Sequence, residues 1–238
     1  MMMNLNEMTV LVTGANRGIG RALATRLAAA GTICILTVRN AADVTGLRRD
    51  FAFAQQRVHV EACDISRPSD VQALATRVAA YTPRLDALVN NAGVFPAADR
   101  RMHPSNVGID VMRATFEVNL FGTIAMCQSF VPLLVRGSRI INVSSTMGQF
   151  GTDGVPPYAT AYCVSKTALN AYTSALANEV GERGIMVDAL HPGWVQTEMG
   201  GADAQITPDA ATETIIYLAT RSSGETGKFW FEKRVLPW

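Results

Sequence analysis

Short apolar runs rich in β-branched residues recur along this chain at 9–12, 33–38, 58–60, 85–89, 139–143 and 185–190. Runs this short and this continuously apolar fit strands buried on both faces, not strands with one wet side. Between them, 18–30, 69–81, 109–135 and 159–182 carry apolar residues at helical spacing. Strand and helix therefore alternate, which predicts an α/β fold with an open parallel sheet and helices on both faces, because each crossover is right-handed and each helix buries its apolar stripe on the sheet. In such a sheet, ligands bind outside the carboxyl ends of the strands.

The 238 residues, 48% hydrophobic and 17% charged, suffice for one substantial core and predict a single domain over 1–238. A net charge of +1 supplies no field for phosphate backbones or anionic lipid, so neither nucleic acid nor membrane is an expected partner. The opening MMMNLNEM has neither a basic nor an apolar leader segment, and no run reaches membrane-span length, which predicts a cytoplasmic protein. Cys34, Cys63, Cys127 and Cys163 stand singly, as do His59, His103 and His191. That scatter predicts reduced, buried thiols and no metal site.

The first strand runs through Thr13 into Gly14-Ala15-Asn16-Arg17-Gly18-Ile19-Gly20 and on into a helix. In that context Gly14 permits a sharp turn, Gly18 lets backbone approach a pyrophosphate and Gly20 allows close helix packing, while the helix N-terminus offers free N–H groups to the anion. The G-x-x-x-G-x-G spacing differs from the common G-x-G-x-x-G fingerprint.

Thr13, Gly14, Gly18 and Gly20 match the T-G-x-x-x-G-x-G turn of the short-chain dehydrogenases and reductases. Further matches follow in order: Asp64, Asn90-Asn91-Ala92-Gly93, Asn119, Ser145, Tyr162 with Lys166, and Pro192-Gly193. The chain resembles that family over nearly its whole length, and its Pro192–Gly201 and Phe229–Trp238 segments look like those of the carbonyl reductase branch. The resemblance implies a doubly wound Rossmann fold and a nicotinamide dinucleotide. Against that cofactor it places Thr13, Gly14, Asn16, Arg17, Gly18, Ile19, Gly20, Arg39, Asp64, Ile65, Asn91, Ala92, Gly93, Pro192, Gly193, Val195 and Thr197, together with Tyr162 and Lys166. It also implies that Asp64 meets the adenine and Asn90 the adjoining ribose.

An acid at the end of the second strand would hold the 2′-hydroxyl of NAD, whereas an arginine there accommodates the 2′-phosphate of NADP. Here that end reads Val38-Arg39, with no Asp or Glu between Glu7 and Asp43, and Arg17 offers a second guanidinium. NADP(H) is the expected cofactor.

Tyr162 and Lys166 lie four apart, on one face of a helix. A phenol with an ordinary pKa near 10 is a weak acid–base catalyst at neutral pH. An ammonium about 4 Å away would favour the phenolate by about 4 kcal/mol at an effective dielectric near 20. Tyr162 is thus the expected general acid for a carbonyl oxygen, and Lys166 is expected to lower its pKa and, by resemblance, to hold the nicotinamide ribose. By resemblance, Ser145 is the expected donor to the substrate oxygen, with adjacent Ser144 the alternative, and Asn119 joins Lys166 in a proton relay.

Phe95, Met147, Phe150, Tyr158, Trp194 and Met199, with Ser145, are candidates for the substrate pocket, which predicts a small-molecule carbonyl substrate with apolar substituents. Only 16 residues separate Ser145 from Tyr162, too few for the insertion found in some monomeric carbonyl reductases, so a homodimer or homotetramer is expected. The competing reading is a regulatory protein that senses NADP(H) without turnover, since a fold alone does not establish activity.

Overall fold

The computed structural model describes residues 2–151 and 154–238. Among the described residues eight strands form one sheet in the order β3-β2-β1-β4-β5-β6-β7-β8: β1 Thr9–Val12, β2 Ile33–Val38, β3 Val58–Ala62, β4 Leu85–Asn90, β5 Leu134–Val143, β6 Met186–Leu190, β7 Phe229–Phe231 and β8 Arg234–Leu236. The helices are α1 Gly18–Ala29, α2 Ala41–Asp50, α3 Pro68–Tyr81, α4 Ile109–Phe116, α5 Thr123–Phe130, α6 Thr160–Val180 and α7 Pro208–Thr220. This is the doubly wound Rossmann arrangement, and the strand order reverses between β1 and β4, where such sheets bind ligands.

The pleat sends alternate residues to opposite faces, and both faces are dry. Val10, Val12, Cys34 and Leu36 pack with Leu23 and Leu27 of α1 and Ile215 and Leu218 of α7. Leu11, Ile35 and Leu88 pack instead with Leu74 and Val78 of α3, Met126 and Phe130 of α5, and Leu176 and Val180 of α6. The four cysteines are free and buried. Among the described residues no helix is long and apolar enough to cross a membrane, and no three His, Cys, Asp or Glu side chains gather as a metal site.

The structure departs from the sequence reading in three places. The helix expected over 109–135 is α4 and α5 joined by a π-helical turn, Glu117–Gly122, and it ends early: Pro132 sits in a 3-10 turn and β5 begins at Leu134. Gly122 explains the close seat of that turn, because a β-carbon there would lie 2.8 Å from the Ile65 carbonyl oxygen. The sheet is not wholly parallel, since β8 pairs antiparallel with β7 through a two-residue turn. Glu232 and Lys233 both have positive φ there, as a tight hairpin of this hand requires. Finally, α2 and α7 supply two helices that the sequence reading lacks.

Candidate active site

Because β1, β4, β5 and β6 are neighbours, the segments leaving their carboxyl ends converge. Thr13 ties the first two together: its hydroxyl oxygen accepts the N–H of Asn91 at 3.0 Å and of Ala92 at 2.9 Å, and the Asn91 amide donates back to the carbonyls of Thr13 and Gly14. Gly14 and Gly18 have φ of +68° and +54°, and a β-carbon on Gly20 would lie 2.2 Å from the Gly14 carbonyl oxygen. No side chain bonds the α1 N-terminus through its N-cap, Arg17. Its N–H groups and the bare glycine backbone form a cradle whose chemistry fits a dinucleotide pyrophosphate.

The strand-end residues divide their work. Asp64 accepts the backbone N–H and hydroxyl of Ser66, fixing its own turn. Ile65 is buried against Gly122. Asn90, expected by resemblance at a ribose, is instead turned into the core, where its amide donates to Asn142 at 2.9 Å. Gly93 sits where a β-carbon would be 3.3 Å from Asn119 Oδ1 and 3.6 Å from Lys166 Nζ, so the backbone here passes close to both side chains.

Beside the end of β2 two acids engage residues of the glycine turn, pairings that the sequence alone does not reveal. Arg17 pairs with Glu198, and Asn16 donates to Asp43 at 3.4 Å, while Arg39 is exposed just beyond β2. Thr197 comes within 3.0 Å of the β-carbon position of Gly18, so the segment after β6 closes over the glycine turn. Within that segment Val195 is buried and bridges to Ile206. Gly193 has a φ of +86°, and a β-carbon there would strike the Ile206 side chain. Pro192 helps line a cavity of about 350 Å³ with His191, Ile206, Glu213, Thr214 and Phe231, which contains none of Asn119, Ser145, Tyr162 or Lys166.

Those four nevertheless meet. Ser144 and Ser145 diverge at the end of β5: Ser144 donates to Asn170 on α6 at 2.6 Å, whereas Ser145 accepts the N–H of Met147 at 3.1 Å and lies near enough to the Tyr162 side chain to lower its pKa. The Ser144 hydroxyl is thus engaged by α6, and Ser145 is the one of the pair beside Tyr162. Lys166 Nζ donates to the Val143 carbonyl at 2.8 Å and stands 5.7 Å from the Tyr162 ring centre. Asn119 makes a reciprocal pair with the backbone of Val94 and donates to Ser165.

The electrostatics correct one expectation. Burial pushes the Tyr162 phenol up to about 12, with nearby Ser145 only partly opposing it, so the phenol stands above its ordinary value, not below. Burial also brings the Lys166 ammonium down to about 8. Removal from water dominates at both groups because each is almost wholly enclosed.

Of the expected pocket residues, Phe95 stacks on Tyr162 with ring centres 4.5 Å apart. Arg100 lies over Phe95 and donates to the Met199 carbonyl, linking two more of them. Trp194 bonds Gly200 within its own loop, Met147 is half-buried beside Ser145, and Tyr158 and Phe150 are exposed. Sequence reasoning missed Asp99, which accepts the N–H groups of Ala161 and Tyr162, and Gly148, where a β-carbon would lie 2.6 Å from Lys166.

Comparison with known proteins agrees with this arrangement. Residues 8–206 match the model of the short chain dehydrogenase family. Carbonyl reductase [NADPH] 1 of Bos taurus is 31% identical, with 99% of this chain and all of that protein covered. Dehydrogenase/reductase SDR family member 7B of Mus musculus is 31% identical over 82% of this chain, which spans only 60% of the mouse protein's length. Among solved structures, NADPH-bound carbonyl reductase from chicken fatty liver superposes with a TM-score of 0.86 at 29% identity, covering 97% of this chain and 99% of that one. Fold, site geometry and sequence thus agree that this chain belongs to the short-chain dehydrogenase/reductase family, with carbonyl reductases among its relatives.

Proposed function

We propose that this protein is an oxidoreductase of one catalytic domain that reduces aldehydes, ketones or quinones to alcohols with NADPH. The observation that carries the reading is the meeting of Tyr162, Ser145 and Lys166 at the strand ends beside the glycine cradle. Gly14, Gly18 and Gly20 would hold the pyrophosphate, Arg39 and Arg17 the 2′-phosphate, and Lys166 the nicotinamide ribose. The NADPH-bound chicken structure and the bovine carbonyl reductase support that choice of dinucleotide.

When bound, the nicotinamide supplies a hydride to the carbonyl carbon. Ser145 donates to the carbonyl oxygen as negative charge develops there, and Tyr162 gives that oxygen its proton. A phenol held near 12 is protonated throughout the neutral range, which suits the reduction direction. Lys166, near 8, keeps its charge at neutral pH, and Asn119 fixes the Val94 backbone alongside it. Phe95, Met147, Tyr158, Trp194 and Met199 give the substrate an apolar surround.

Ile109, Phe121 and Val164, exposed on α4, the π-turn and α6, offer apolar surface for a homodimer or homotetramer in the cytoplasm. Following absorbance at the NADPH band with aldehydes, ketones and quinones, and again with NADH, tests the reading. Faster oxidation of NADPH is expected. Binding of NADPH with no carbonyl consumed would return the sensor reading.

A further inference from the structure

α6 carries both Tyr162 and Lys166, yet its beginning is poorly equipped by local sequence. Its N-cap is Ala159, in a left-handed conformation with φ of +52° and no side-chain oxygen to offer. An N-cap side chain would ordinarily accept the N–H groups of the second and third helical residues, here Ala161 and Tyr162. Both residues are buried, so water does not readily replace such an acceptor.

The acceptor comes from a distant loop. Asp99, wholly buried in the 3-10 turn Ala97–Asp99, takes the Ala161 N–H at 3.0 Å on one carboxylate oxygen and the Tyr162 N–H at 2.8 Å on the other. Its negative charge also complements the positive end of the helix dipole. The same loop holds Tyr162 from a second side through the Phe95 stack, and Arg100, next to Asp99, packs on Phe95 and reaches the Met199 carbonyl. Tyr162 thus has its backbone and its ring fixed by one loop, while Lys166, a turn further on, is anchored independently to Val143.

We infer that Asp99 is a positioning residue for the proton donor: it supplies in trans the cap that α6 lacks and sets where the Tyr162 hydroxyl stands relative to Ser145. The inference rests on the reading of Tyr162 as general acid. Asp99→Ala leaves two buried donors unpaired, so the first turn of α6 loosens and the hydroxyl moves, whereas the glycine cradle and Lys166 stay in place. A misplacement of about 1 Å at a reacting group costs about a hundredfold in rate.

The test measures kcat, the NADPH Kd and the NMR resonance of ring-labelled Tyr162 in wild type, Asp99→Ala and Asp99→Asn, well below each melting temperature. Asp99→Ala is expected to lower kcat about a hundredfold with an unchanged Kd and a shifted Tyr162 resonance. Asp99→Asn, which keeps one carbonyl acceptor, is expected to lose about tenfold. A purely structural role would lower the melting temperature of Asp99→Ala yet leave kcat per folded molecule within twofold of wild type, and that result overturns the inference. If Asp99→Ala does not fold, unchanged kcat and an unmoved Tyr162 resonance in Asp99→Asn overturn it equally. Wild type inert toward every carbonyl would refute the functional reading instead. The Tyr162 resonance would then decide the positional claim alone: movement supports it and constancy refutes it.

Discussion

The enclosed lysine makes a quantitative prediction about pH. Burial brings Lys166 from 10.5 down to about 8, which corresponds to about 3 kcal/mol of disfavoured charge. At pH 7 about ten molecules in eleven still carry the ammonium, and at pH 9 only about one in eleven does, by the ordinary titration relation. Tyr162 does not titrate in this interval, since burial holds it near 12. An alkaline limb in kcat/KM for varied NADPH, which reports the free enzyme, therefore belongs to Lys166 and is expected to bend near pH 8. Lys166→Arg, charged throughout, should lose that bend even if its maximum rate is lower. A bend in wild type at the ordinary 10.5, or the same bend near 8 in Lys166→Arg, would refute the reasoning. The stability sign is also fixed: between about 8 and 10.5 the unfolded chain holds a proton at this position that the folded chain has released, so the Lys166 contribution to stability rises with pH across that window.

Two further outcomes follow from the same geometry. Burial lowers His191 from 6.5 to about 4, so its contribution to stability is present above 6.5 and is lost as pH falls through 4; the melting temperature of wild type should drop across that interval more than that of His191→Gln, and equal drops would contradict this assignment. Gly20→Ala puts a β-carbon 2.2 Å from the Gly14 carbonyl oxygen and 2.5 Å from the Asn91 amide. The glycine turn must shift, at a cost of about 1–3 kcal/mol, and fluorescence titration should find NADPH bound at least about tenfold more weakly; unchanged affinity would show that the cradle is not the binding site.

What was legible in the sequence is what depends on neighbours along the chain. The runs at 9–12 and 33–38 are strands because continuous β-branched segments suit a sheet covered on both faces. Tyr162 and Lys166 share a helix face by spacing alone. The rest depends on residues far apart. Asp99 reaches α6 from 62 residues upstream, and Arg17 meets Glu198 across 181 residues of chain.

The π-turn at Asn119 sits against Ile65, a contact no helical periodicity contains. α2 is polar and buries only Leu47, so it has little apolar pattern to read. Ser144 and Ser145 are alike in sequence and are separated by the turn of the chain leaving β5, which aims one at Asn170 and the other at Tyr162. The direction of the Tyr162 shift is hidden for the same reason: the spacing reveals a nearby cation, but the enclosure that raises the phenol belongs to the folded molecule.

The most direct test of proton donation by Tyr162 is a single-turnover measurement of NADPH oxidation with a reactive carbonyl, comparing wild type with Tyr162→Phe. The account predicts equal NADPH affinity and a rate about 10²–10⁴-fold lower in the variant, the usual worth of a positioned general acid. A variant that bound NADPH normally and oxidised it within a few-fold of the wild-type rate would contradict it.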